Sequence, residues 1–168
     1  FSESILLTLI ENSKKVLENP QDYSARANIT LSACIALNGT IGAGIDQDWA
    51  THQIEHEISG FYDIPHAAGL AIITPRWMNV VKGVKGDKII QYGKRIWGLT
   101  GADSEILEMA ISKTYDFFKS LGVKMSLSEW NIDDKHFEYI SKRLAERKIG
   151  EIPLTEQEIK EILINCLK

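Results

Sequence analysis

The sequence predicts an all-α fold, and three observations carry that prediction. Apolar residues recur at helical spacing along almost the whole chain. No stretch alternates Val, Ile and Thr around an Asn-Gly turn, as a hairpin would. Cap and stop signals fall between the periodic runs, where helix ends belong.

The first helix runs from Ser2 to about Leu17, with Ile5, Leu6, Ile10 and Leu17 on one side. Glu18-Asn19-Pro20 stops it, because proline disfavours the α conformation in the residue before it. The second begins near Asp22 and reaches Leu37; its small residues Ala25, Ser32, Ala33 and Ala36 let neighbouring backbones pack closely, which places it in the domain centre. Asn38 to Gly44 then interrupts the helix with Gly39, Gly42 and Gly44, and Asp46 or Asp48 is placed to cap a third helix carrying His52 and His56. Gly60 to Pro65 reads as a loop ending at His66, where a fourth helix starts and continues to about Val81, with Pro75 expected to kink or break it. Further helices are predicted at about Asp87 to Trp97, Asp103 to Leu121, Asp133 to Arg147 and Thr155 to Leu167. Thr155-Glu156-Gln157-Glu158 is a capping box, and Ser126-Leu127-Ser128-Glu129 is a second one opening a short turn. With no linker, repeat or low-complexity tract, residues 1–168 read as one domain of seven or eight helices.

At 168 residues, with 44% hydrophobic and 25% charged, the chain can bury a core, which excludes disordered and fibrous classes. A net charge of -4 makes no electrostatic case for nucleic acid or an anionic membrane, so a small molecule is the default ligand. Cys34 and Cys166 stand far apart with no metal or redox spacing, as idle thiols in a reducing compartment would. No run of about 18 apolar residues and no basic-then-apolar leader occurs, so the expected location is cytoplasmic. The first residue is Phe1 and the helical rhythm is already under way there, as in a piece of a longer chain.

Three of the four histidines fall in the fifteen residues from His52 to His66, and the fourth is His136. On a helix His52 and His56 project from one face a turn apart, and the segment before His66 can fold back to bring a third ring to the same point. Converging imidazoles suit a metal site; histidines in caps and polar pockets of a helical packing or interaction module are the alternative. His52-Gln-Ile-Glu55-His56 also fits the H-x-x-E-H pattern of inverzincin peptidases, in which Glu55 would activate water. That pattern has only three fixed letters, and neither Glu129 nor Glu138, the candidates for a third zinc ligand, stands in a supporting motif. Gly39-Thr-Ile-Gly42-Ala-Gly44 has its glycines in the wrong order for a dinucleotide loop, and no GK[ST] follows; it reads as a break that lets backbone approach a neighbour closely.

Asn19-Pro20-x-Asp22-Tyr23-x-Ala25-Arg26-Ala27-Asn28, Ala36-Leu37-Asn38-Gly39-x-Ile41-Gly42-Ala43-Gly44, and Gln47-Asp48-Trp49-Ala50-Thr51-His52-x-x-x-His56 with His66 together resemble one family. It is the iron-containing alcohol dehydrogenase family, in its branch of NAD(P)H-dependent butanol dehydrogenases and aldehyde reductases, and the likeness covers Phe1 to Lys168. The resemblance implies the C-terminal helical domain of a dehydroquinate synthase-like fold. It implies a divalent metal, Fe2+ or Zn2+, held by an aspartate and three histidines, with His52 and His66 as the last two ligands. His56 would lie beside the metal near the nicotinamide of NAD or NADP, as a proton relay or positioning group. Helical spacing alone would instead have paired His52 with His56.

The first two ligands, a D-x-x-x-H pair, are expected on a helix before Phe1, together with a nucleotide-binding domain. Within the chain only Asp48 has a histidine four residues on, and that histidine is His52 itself. An alcohol or aldehyde is the implied substrate, and a homodimer is the candidate assembly. Trp49, Phe61 and Tyr62 are candidates for shaping the alcohol pocket, against plain packing roles.

Overall fold

A computed structural model describes residues 1–168, and it contains helices, turns and loops without a strand. Seven α-helices follow one another: α1 Ser2–Glu18, α2 Tyr23–Leu37, α3 Ala50–Tyr62, α4 His66–Ile96, α5 Asp103–Ser120, α6 Phe137–Glu146 and α7 Glu156–Asn165. Short 3-10 turns occupy Thr40–Gly42 and Ser128–Trp130. No helix is long and apolar enough to cross a membrane.

The main core lies where α3, the first half of α4, α6 and α7 meet. Ile54 and Ile58 of α3 pack with Ile72 and Ile73 of α4, Phe137, Ile140 and Leu144 of α6, and Ile159, Ile162 and Leu163 of α7. Each such side chain contributes about 1.5–3 kcal/mol by leaving water. A smaller cluster of Met78, Ile89, Ala110 and Ile111 joins α4 to α5. Buried Cys166 closes the main core; burial pushes its thiol up to about 12, so it is inert, and no disulfide joins it to exposed Cys34.

Both expected capping boxes form. The Thr155 hydroxyl accepts from the Glu158 amide at 3.2 Å, while Glu158 accepts from the Thr155 amide at 2.8 Å. Glu129 and Ser126 make the same reciprocal pair around the second 3-10 turn.

Four sequence expectations give way to tertiary packing. First, α2 is peripheral and packs chiefly on α1: Ala25 and Ser32 are its buried residues, while Ala33 and Ala36 of the small flank stand exposed along with Tyr23, Leu31 and Leu37. Correspondingly, Leu6 and Leu17 of α1 are exposed, though Ile5 is buried. Second, α4 runs straight through Pro75. Proline leaves the Ala71 carbonyl without its helical partner, but buried Ile72, Ile73, Met78 and Val81 on both sides hold the helix to the core.

Third, the interruption falls at Lys85, whose φ of -112° and ψ of 15° are not helical, so the two helices expected at 66–81 and 87–97 meet at a kink. Gly83 and Gly86 flank it, and each weakens a helix by about 1 kcal/mol relative to alanine. The Lys85 ammonium reaches Glu151 at 2.6 Å and Asp48 at 3.2 Å, tying the kink to the entry of α3. Fourth, α3 continues past Gly60 to Tyr62, and Asp63 makes the left-handed turn at φ 53°, leaving only Asp63-Ile64-Pro65 between α3 and α4. A smaller difference is that α6 starts at Phe137, because Asp133 turns back on the Lys135 amide at 3.2 Å.

Candidate metal centre

The short α3–α4 connection decides the geometry. It folds the first turn of α4 back against the middle of α3, so His66, the first residue of α4, faces His52 and His56. The ring centroids of His52 and His66 are 5.5 Å apart, those of His56 and His66 5.2 Å, and those of His52 and His56 6.3 Å. His136, by contrast, stacks on Phe61 at 4.4 Å in a separate aromatic group.

The α3 helix is entered through Asp48, whose carboxylate accepts from the Ala50 amide at 2.9 Å. Asp48 thus sits one residue ahead of the cap position, which Trp49 occupies, and Asp46 takes no part. Its second oxygen pairs with Lys85, so Asp48 is committed to holding α3 and α4 together rather than to a metal. At Gly42 the end of the exposed Gln47 side chain lies against the backbone: a Cβ there would lie 1.7 Å from Gln47 Nε2. The glycine run therefore does bring backbone against a neighbour. Gly39 and Gly44 adopt positive φ of 86° and 77°.

Glu55 is the residue that sequence reading assigned only to the peptidase alternative. Its side chain is fully buried, one oxygen against His66 Nδ1 and the other against the Ser59 hydroxyl. Ser59 also lies 3.1 Å from the Ile64 carbonyl, which pins the three-residue connection. A carboxylate enclosed in this way has no access to a water molecule for peptide hydrolysis. Glu129 is bonded to Ser126 and Glu138 to Lys160, so neither completes a zinc set, and the peptidase reading fails. A signal for Glu55 was present: Thr51, Ile54, Glu55 and Ile58 share a core-facing stripe, and a charge there needs a buried partner.

The donor atoms of Glu55, His56 and His66 all lie within 4.8 Å of one another. Because both Glu55 oxygens are already engaged, the atoms open to an ion are imidazole nitrogens, and His66 offers Nε2. Two imidazoles sharing an ion at ~2.1 Å hold their centroids roughly 4.5–5.5 Å apart at tetrahedral to octahedral angles. The pairs His52–His66 and His56–His66 meet that condition and His52–His56 does not, so His66 is the common member. Burial lowers the His52 pKa, and the neighbouring His66 and His56 lower it further, which keeps the ring neutral with a lone pair to donate.

Beside His52 opens a pocket of about 550 Å³, walled by Ala36, Leu37, Ile41, Asp48 and Trp49. The Trp49 ring stands edge-on to His52 at 5.0 Å. Phe61 and Tyr62 do not line it; Phe61 stacks on His136, and the Tyr62 hydroxyl donates to the Asp133 carbonyl at 3.0 Å.

A family model for the C-terminal part of Fe-containing alcohol dehydrogenases matches residues 1–167. The chain belongs to the iron-containing alcohol dehydrogenase family. It is 42% identical over 153 residues to the NADPH-dependent aldehyde reductase YqhD of Escherichia coli, covering 90% of this chain and 40% of that protein. It is 36% identical over 168 residues to NADH-dependent butanol dehydrogenase A of Clostridium acetobutylicum, covering 96% and 43%. Among solved structures, E. coli YqhD superposes with a TM-score of 0.93 at 40% identity, over 99% of this chain and 44% of that one. NADH-dependent butanol dehydrogenase A from Thermotoga maritima gives 0.92 at 33% identity, over 99% and 45%. The all-helical expectation and the family expectation are both borne out, and the chain spans less than half the length of these relatives.

Proposed function

We propose that this chain is the helical, metal-binding part of an NAD(P)-dependent alcohol dehydrogenase that interconverts aliphatic alcohols, such as butanol, with aldehydes. The observation that carries the reading is the convergence of His52, His56 and His66, with His66 anchored from behind by Glu55. In this reading His52 and His66 hold a divalent iron or zinc, a choice that a mixed imidazole and carboxylate set leaves open. When bound, such an ion supplies Lewis acidity toward an alcohol or aldehyde oxygen while hydride passes to or from the nicotinamide.

The remaining roles belong to the chain's own side chains. His56 is exposed beside His66, where its imidazole can carry a proton between substrate and solvent and contact the nicotinamide. Ala36, Leu37, Ile41 and Trp49 offer an apolar wall to an aliphatic substrate next to His52. An upstream segment supplies the aspartate–histidine ligand pair and the nucleotide-binding domain.

The test is the upstream sequence of the gene, which should contain a D-x-x-x-H helix and a GG-containing nucleotide-binding domain. A sequence with neither would sink the dehydrogenase reading. The 168-residue chain by itself should hold metal weakly and show no detectable alcohol oxidation; turnover of butanol at an ordinary enzymatic rate would overturn this division of labour.

A further inference from the structure

Most of the polar groups that serve the candidate centre are at its surface, but one is not. Glu55 is 0% exposed, on a helix turn whose other inward residues, Ile54 and Ile58, are fully buried hydrocarbon. A carboxylate in such a place is costly unless every oxygen is matched. Here each is matched once, by His66 Nδ1 and by the Ser59 hydroxyl. Space for it is also reserved: at Gly69, one turn into α4, a Cβ would lie 2.7 Å from Glu55 Cγ and 2.8 Å from Oε1. Three elements of sequence therefore serve one buried charge, and the only ring nitrogen it reaches is the inner nitrogen of His66.

We propose that Glu55 is a positioning residue that fixes the tautomer and rotation of His66. As an acceptor it keeps the proton on Nδ1, which leaves the Nε2 lone pair free on the part of the ring turned away from the carboxylate. Its charge makes that Nε2 a stronger donor, as a carboxylate behind a histidine ligand does at metal centres in general. The single Ser59 proton lies between the far oxygen and the Ile64 carbonyl, so the hold on the carboxylate is shared with, and coupled to, the α3–α4 connection. Glu55 acts through His66 and touches no substrate.

The tautomer claim stands on the contacts alone, whereas its consequence for metal rests on the functional reading above; the experiment separates the two. Glu55→Gln keeps an acceptor and removes the charge. Glu55→Met keeps the length and removes both. Long-range 1H–15N correlation spectra of the metal-free, 15N-histidine-labelled full-length protein, assigned with His66→Ala, read the tautomer of His66 without metal. Wild type should show Nδ1–H, Glu55→Gln should retain it, and Glu55→Met should give a mixture, with far-UV circular dichroism unchanged. Zn2+ affinity of the full-length protein, measured by competition with a chromophoric chelator, should fall about 10–100-fold in Glu55→Gln. If the Met variant does not fold, the Gln variant decides through the affinity.

A wild-type His66 carrying its proton on Nε2 would overturn the positioning role, as would wild-type affinity in both variants. A loss in Glu55→Gln as complete as in His66→Ala would make Glu55 a ligand and overturn it equally. Absence of Zn2+ binding by the wild type, with the tautomer pattern as expected, would overturn the metal reading and uphold the positioning of His66.

Discussion

Gly69 of α4 leaves the space that the Glu55 side chain of α3 fills, so that a Cβ at position 69 would stand 2.7 Å from Glu55 Cγ. In an ordinary helix interior, replacing glycine with alanine stabilises by about 1 kcal/mol. At this site the sign should reverse. Gly69→Ala is expected to destabilise the chain by about 1–3 kcal/mol through overpacking. Gly83→Ala, in the same helix with nothing within 4 Å of the added Cβ, is expected to stabilise by about 0.4–1 kcal/mol. Urea unfolding midpoints of the two variants check both, and equal midpoints would refute the account of Gly69.

The division between core and periphery predicts unequal costs for two helices. Ile58→Ala removes a fully buried side chain at the centre of the main core and should cost about 2–5 kcal/mol. Leu37→Ala, at the end of α2 and 87% exposed, should change stability by no more than about 0.5 kcal/mol. A large cost for Leu37→Ala in the 168-residue chain would restore α2 to the centre of the fold.

Lys85 gives a pH dependence at the alkaline end. Burial, the largest single influence, would lower its pKa, but the hydrogen bonds to Glu151 and Asp48 together with the negative charges of both carboxylates raise it. A raised lysine pKa means that the folded state holds the proton more tightly than the unfolded chain. The resulting stability is complete below the ordinary lysine pKa and is lost as pH rises through the raised value. Tyr62 and Tyr92 are raised as well, chiefly by burial, and add a loss of the same sign. The Lys85 share is therefore read as the difference between wild type and Lys85→Met, followed by urea unfolding from pH 8 to pH 11. Wild type should lose stability more steeply, and parallel curves would remove the ion triad from the account of the kink.

The three imidazoles should part company when the full-length protein is assayed. His52→Ala and His66→Ala should each lose bound metal as measured by elemental analysis after gel filtration, and activity with it. His56→Ala should keep its metal and lose turnover. Retention of metal by His52→Ala with loss in His56→Ala would make His56 and His66 the ligands, and retention by His66→Ala with loss in the other two would restore the His52–His56 pairing that helical spacing by itself favours.

Much of the centre was legible in the linear sequence because it is local. Spacing alone put His52 and His56 on one helix face, and a Pro-terminated loop brought His66 within reach. The capping boxes at Thr155 and Ser126 were legible for the same reason, since each needs only residues three apart. What escaped were features that need a partner distant in sequence. Pro75 was expected to kink or break α4, yet the hydrophobic contacts around it hold the helix together, and the kink falls at Lys85, where two glycines weaken the helix and two acidic groups from elsewhere receive the ammonium. The small residues of α2 implied close packing in the middle of the molecule, but only Ala25 and Ser32 are buried, in a helix that packs chiefly on α1, while Ala33 and Ala36 are exposed.

By itself, the sequence determined the helical class, the family and the segment that holds the candidate centre, because periodicity, capping and motif spacing are short-range properties of the chain. Only the tertiary structure decided that Glu55 stands buried behind His66, that Gly69 makes room for it, and that Asp48 is bound to Lys85 rather than free for a metal. The physical reason is that a buried charge has no sequence signature of its own partner. The same glutamate could face solvent, activate water or hold an imidazole, and the choice is made when α4 folds back on α3 and closes the space around it.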